Sequence, residues 1–103
     1  MVQYLVTYSI MSGRESDHDN WLRDVGIPFF QRQPGFQEIK SYSTLVGSGP
    51  DWVLEINFDS PENLMKALDS DEATRLLEDF EHLVTNLSTK ILTPIELRVP
   101  QRA

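Results

Sequence analysis

Apolar and polar residues alternate from the start of the chain. Val2, Tyr4, Val6, Tyr8 and Ile10 fall on one side and Gln3, Leu5, Thr7 and Ser9 on the other, the period of a half-buried strand. Ser12-Gly13 reads as the turn that ends it. The period then changes: Trp21, Leu22, Val25 and Phe29 recur at helical spacing behind Ser16, which with Asp19 three residues on has the form of a helix N-cap. This helix is expected to reach Gln33, where Pro34-Gly35 stops it. Pro28 lies inside it without an amide hydrogen and predicts a kink near Gly26 to Pro28.

β-branched and aromatic residues dominate Phe36 to Val46, Gly47-Ser48-Gly49-Pro50 is a turn signal, and Trp52, Leu54, Ile56 and Phe58 alternate with Val53, Glu55 and Asn57. Two strands joined as a hairpin account for this. Ser60-Pro61-Glu62 then supplies a capping hydroxyl, a proline at the first helical position and an acid in the first turn, which predicts a short helix. Ser70-Asp71-Glu72 repeats the signal. Behind it Ala73, Leu76, Leu77, Phe80, Leu83, Val84 and Leu87 form an apolar stripe, predicting a helix along that whole length. The last strand is expected over Thr89 to Val99, with Ile91, Ile95, Leu97 and Val99 on one face and Leu92 opposite, and Pro94 marking an edge position or a bulge.

The order β-α-β-β-α-β predicts one α+β domain over residues 1–103 of the ferredoxin-like type, a four-stranded antiparallel sheet with its helices on one face. The other face is then open. The second strand has apolar residues on both sides, Phe36, Tyr42 and Val46 on one and Ile39 and Leu45 on the other. A single copy could not bury both, so a symmetric homodimer with its sheets face to face, closing an α/β barrel, is expected.

Composition narrows the chemistry. A chain of 103 residues is one domain, and at that size folding buries only about 60 to 70% of the unfolded surface, which again favours a partner. With no cysteine there is no disulfide, thiolate nucleophile or Cys-based zinc site, as suits a reducing compartment. The 16 acidic residues against 9 basic ones, a net charge of -7, argue against nucleic acid. The N-terminal stretch has no basic n-region, and Gln3, Thr7 and Ser9 break its apolar run, so neither a signal peptide nor a membrane span is expected and the location is expected to be cytoplasmic.

Two stretches, N-W-L-R-D-V-G-I-P-F-F-Q-R-Q-P-G-F over 20–36 and F-D-S-P-E-N-L-M-K-A-L-D-S-D-E-A over 58–73, resemble the dimeric α/β-barrel superfamily, which includes the antibiotic biosynthesis monooxygenases and the EthD-like proteins. The resemblance implies either of two functions. One is a cofactor-free monooxygenase-like or EthD-like enzyme acting on a hydrophobic or aromatic small molecule; the other is a non-catalytic dimer that binds a ligand or serves as an accessory module. A third alternative is a structural dimer with a filled interior. No metal or flavin is implied. The chain also departs from its relatives: Gly26 stands where EthD-like proteins often carry a histidine. Ala67 and Leu77 stand where haem-degrading relatives have tryptophan and histidine, and Asp69-Ser70-Asp71-Glu72 replaces a histidine-bearing segment of the cyclase-like ones.

Two histidines remain. At about 100° per residue, His82 falls opposite the apolar stripe of its helix and reads as solvated. His18 falls within the arc of Trp21, Leu22, Val25 and Phe29 and faces inward, so it is the candidate acid/base group, with hydrogen bonding to a neighbour as the plainer alternative. Asp17-His18-Asp19 is no metal site by this geometry, because adjacent helical residues point about 100° apart. Tyr8, Trp21, Tyr42 and Trp52 are the candidate ligand-binding residues, since an apolar cavity with a few polar tips suits a hydrophobic ligand. For all four the alternative is ordinary core packing.

Overall fold

The alternation at the N-terminus becomes β1 (Val2–Ile10), an inner strand that pairs antiparallel with β3 (Trp52–Phe58) on one side and β4 (Val84–Leu92) on the other. β2 (Phe36–Ser43) pairs antiparallel with β3, so the sheet order is β2-β3-β1-β4. Val2, Tyr4, Val6 and Tyr8 stand opposite Phe58, Ile56, Leu54 and Trp52, and all eight share one face because paired residues project to the same side. That face carries the core. Val2, Val6, Tyr8, Leu54, Ile56 and Phe58 are all buried there. The arrangement, seen in a computed structural model that describes residues 1–95, is the expected ferredoxin-like one.

The helical layer begins with α1 (Glu15–Trp21) and α2 (Ile27–Gln31), joined through a π-helical turn at Leu22–Gly26. Here lies the irregularity that Pro28 predicts. The Ile27 amide donates to the Leu22 carbonyl five residues back, a wider turn that relieves the clash a proline ring makes with the carbonyl four residues before it. Ser16 does not cap this helix. Arg14 holds the N-cap position without a side-chain bond, and Ser16 sits in the first turn. α3 (Pro61–Leu68) and α4 (Asp71–Glu81) start as expected: Ser60 accepts from the Asn63 amide at 3.3 Å and Ser70 from the Ala73 amide at 3.1 Å.

The bounds of α4 and β4 are corrected. α4 ends at Glu81 instead of running on to Leu87, and β4 begins at Val84 instead of Thr89. Val84 is β-branched and finds a ladder partner in Ile10, so sheet pairing wins over the helical period. β4 stops at Leu92. Ile95 lies beyond it, and Leu97 and Val99 fall outside the described residues. β4 stands at the edge of the sheet, one of the two positions Pro94 marks, while its bulge lies near Asn86, whose φ of 54° accompanies a register shift against Thr7 and Ser9.

In β2 a register shift between Phe36 and Glu38 inserts one residue, so Phe36 opposite Phe58 and Ile39 opposite Ile56 face the same side. The expected opposition of those two residues therefore fails. Leu45 and Val46 belong to the loop that follows the strand, 95% and 90% exposed, and neither is on the sheet. The outer face carries Leu5, Tyr42, Val53 and Leu92 interleaved with Gln3, Lys40, Glu55 and Lys90. It is less apolar than the strand pattern predicts. Among the described residues no helix is long and apolar enough to cross a membrane.

Two glycines with the same backbone conformation give a test of packing here. Gly13 (φ 84°) has open space around it, whereas a Cβ on Gly35 (φ 83°) would run into the Asp59 carboxylate and lie 2.6 Å from the Asn63 side chain. Gly13→Ala should cost about 1 kcal/mol of left-handed strain. Gly35→Ala should cost about 1 to 3 kcal/mol more through overpacking, in urea denaturation. Equal losses would show that Asp59 and Asn63 simply move aside.

Candidate functional site

Between the sheet and the helices lies a cavity of about 260 Å³. Val6, Leu54 and Ile56 form its floor, and Trp21, Phe29, Phe30 and Phe80 lie across from them. No charged side chain borders it among the described residues; the lining residues that carry a polar group are Tyr4, Thr74, Thr89 and Trp21. The space depends on a small residue. Gly26 is buried at the cavity wall, and a Cβ there would stand 2.6 Å from Cζ3 of Trp21. The bare backbone lets the Trp21 ring lie over it and stack on Phe80, with centroids 5.0 Å apart.

Burial raises the pKa of the Tyr4 phenol, against a smaller opposing effect of its hydrogen bond with Thr89, so Tyr4 remains a neutral hydroxyl at ordinary pH. Trp21 differs. Its Nε1–H is buried and has no hydrogen-bond partner among the described residues. A buried donor left unpaired costs about 1 to 3 kcal/mol.

Behind this wall is a second arrangement. His18 is fully buried on α1, and its Nδ1 lies 2.9 Å from Oδ1 of Asp19 while its Nε2 lies 2.6 Å from the Tyr8 hydroxyl. A carboxylate only accepts, so Nδ1–H donates to Asp19; in the uncharged tautomer that this contact selects, Nε2 is the acceptor for Tyr8 O–H. Tyr8 keeps its proton: burial first, and the Asp19 charge second, push its pKa far up. Trp52 closes the group, edge-on to the imidazole at 5.1 Å.

The candidate residues thus separate into three places. Trp21 borders the cavity. His18, Tyr8 and Trp52 come together but do not border it, because Phe80, which does, packs edge-on against Tyr8 at 4.8 Å. Tyr42, opposite Val53, projects from the outer face of the sheet, where its hydroxyl reaches Glu55 at 3.5 Å. The odd-even register of β2 after its inserted residue puts it there. Thr89, which borders the cavity with Tyr4, was not singled out in the sequence. Tyr4 reads as one of several alternating apolar positions, and Thr89 meets it only through cross-strand pairing. His82 is exposed at the end of α4, as its helical phase predicts. Among the described residues no three His, Asp or Glu side chains cluster to hold a metal ion.

The sheet and helices superpose well on solved structures. An EthD-family protein from Bacillus halodurans C-125 matches with a TM-score of 0.73 and 19% identity, over 92% of this chain and 99% of that one. SnoaB of Streptomyces nogalater, a cofactor-independent oxygenase, matches with a TM-score of 0.75 and 16% identity, over 93% and 94%. A DABB-family protein from Mesorhizobium loti, described as having a ferredoxin-like fold, matches with a TM-score of 0.75 and 8% identity, over 92% and 97%. The chain shares their ferredoxin-like fold. At these identities the likeness concerns fold alone. No protein-family model and no curated protein matches the sequence.

The buried His18 contacts predict unequal costs. His18→Ala leaves the Tyr8 hydroxyl without its partner and opens a void, and should cost about 3 kcal/mol in chemical denaturation. Asp19→Ala removes a carboxylate that is 65% exposed and should cost less than about 1 kcal/mol. Similar losses for both would mean that the imidazole is not held in this way.

Proposed function

We propose that this protein binds a small apolar molecule of one or two rings in the cavity between its sheet and helices. The observation that carries the reading is that cavity, about 260 Å³ bounded mainly by aliphatic and aromatic side chains. An apolar cavity of about 150 Å³ is enough to admit benzene, so the space here suits a one- or two-ring compound. A filled interior would have favoured a purely structural role. The likeness to SnoaB, a cofactor-independent oxygenase, adds that this fold carries an oxygenase in another chain.

A second reading, monooxygenase-like or EthD-like catalysis with His18 as the acid/base, is favoured by the Asp19–His18–Tyr8 chain of hydrogen bonds. It requires Phe80 to swing aside, because the ring stands between that chain and the cavity. Binding without catalysis needs no such movement and is the reading we prefer. In either case a second copy of the chain is the expected cover for Leu5, Val53, Tyr42 and Leu92 on the outer face, and a chain without cysteine suits the cytoplasm.

Leu76→Trp should fill the cavity from α4. Titration with naphthalene, followed by intrinsic fluorescence and by NMR, should show saturable binding to the parent protein and at least about tenfold weaker binding to the variant with folding retained. Unchanged affinity would place the ligand elsewhere. For the dimer, light scattering should give twice the 11.9 kDa chain mass for the parent and the single-chain mass for Val53→Lys. A parent monomer at micromolar concentration would refute the face-to-face assembly.

A further inference from the structure

The cavity is not equally closed on all sides. Of the residues that border it, Thr74 and Leu77 on α4 and Thr89 on β4 are exposed, Leu77 by 45%, whereas Leu22, Phe29 and Leu54 elsewhere in its wall are buried. Thr74 and Leu77 stand three residues apart and so share one side of α4, while Thr89, opposite Val6, lies on the inner face of the edge strand β4. The space therefore reaches water between α4 and β4. Polarity follows the same direction. The hydroxyl groups that border the cavity belong to Thr74, Thr89 and Tyr4, which is hydrogen-bonded to Thr89. A ligand group that needs water keeps it on that side, because deeper in it would be desolvated against Leu22, Phe29 and Leu54, which give it no partner.

We propose that the ligand is an amphiphile, whose ring body fills the cavity while one hydrophilic substituent stays in water at a mouth between α4 and β4, beside Thr74 and Thr89. This rests on the binding role proposed above and adds a hydrophilic end to the ring compound. A single substituent of this kind costs little, since it never leaves water. A second one at the far end of the rings would be forced against the buried wall and would lose its hydration there without compensation. Thr74 and Thr89 are thereby specificity residues, because their size sets how wide a group the mouth admits.

Naphthalene, 2-naphthyl glucoside and the 2,6-bis-glucoside of naphthalene test this, since a sugar is uncharged yet too large and too strongly hydrated to enter the cavity with the rings. Titrations of the glucosides in competition with naphthalene should show the mono-glucoside binding within about threefold of naphthalene and the bis-glucoside at least about a hundredfold more weakly. Thr74→Phe and Thr89→Phe each narrow the mouth at an exposed position, and having two sites guards against a folding defect in either. Each folded variant should weaken the mono-glucoside at least about tenfold and leave naphthalene within about threefold. The inference is overturned, with naphthalene binding still supporting the cavity, by any of three results: the mono-glucoside fails to displace naphthalene, the bis-glucoside binds as tightly as the mono-glucoside, or neither folded variant discriminates between naphthalene and the mono-glucoside. If naphthalene itself does not bind the parent protein, the cavity reading falls and this inference with it.

Discussion

A slip of one residue between β1 and β3 would turn Val2, Tyr4, Val6 and Tyr8 to the outer face and leave Trp52, Leu54, Ile56 and Phe58 opposite polar neighbours. Everything on the helix side depends on this register holding. It places the buried floor of the cavity, and it brings Tyr8 beneath α1, where His18 can bond to it. Hydrophobic burial enforces the register: the eight side chains are almost all apolar, and several are completely enclosed. The outer face contributes less, with Gln3 bonded to Asn57 and charged residues among its apolar ones.

The second determinant is the irregular helix. A straight α-helix from Glu15 to Gln31 would force the Pro28 ring onto the carbonyl of Asp24, and the π-helical turn avoids this. The same turn ends at Gly26, which has no side chain to displace Trp21. A proline and a glycine therefore set the position of an indole ring that borders the cavity and stacks on Phe80. Backbone irregularity is here the cause of the site's shape.

The electrostatics divide along the same lines. Among the described residues no Asp, Glu, Lys or Arg is buried, and the Arg14–Asp17, Arg23–Asp24 and Arg32–Glu72 pairs are each exposed to water and of little consequence for stability. Inside, the two tyrosine phenols are held neutral. Burial keeps protons on Tyr4 and Tyr8, and the one carboxylate that reaches inward, Asp19, does so from the surface through the edge of His18. The interior is thus suited to neutral molecules, whatever the charge of the exterior.

Strand alternation, the serine caps at Ser60 and Ser70, and the order of elements were legible in the residues themselves, because each is a local consequence of side-chain period or of backbone bonding to the nearest hydroxyl. The inward direction of His18 was legible for the same reason. What local pattern could not reveal was competition between partners distant in sequence. Ile10 draws Val84 into the sheet and ends the predicted helix early, and an inserted residue in β2 returns Phe36 to the face of Ile39. Tyr4 and Thr89 likewise become a pair only across the β1–β4 ladder, and Phe80 becomes a wall between His18 and the cavity only when α4 is laid on the sheet. The sequence by itself determined the periods and the chemistry available. Tertiary structure decided which groups meet, because register, bulges and helix placement are settled by the burial of the whole face at once.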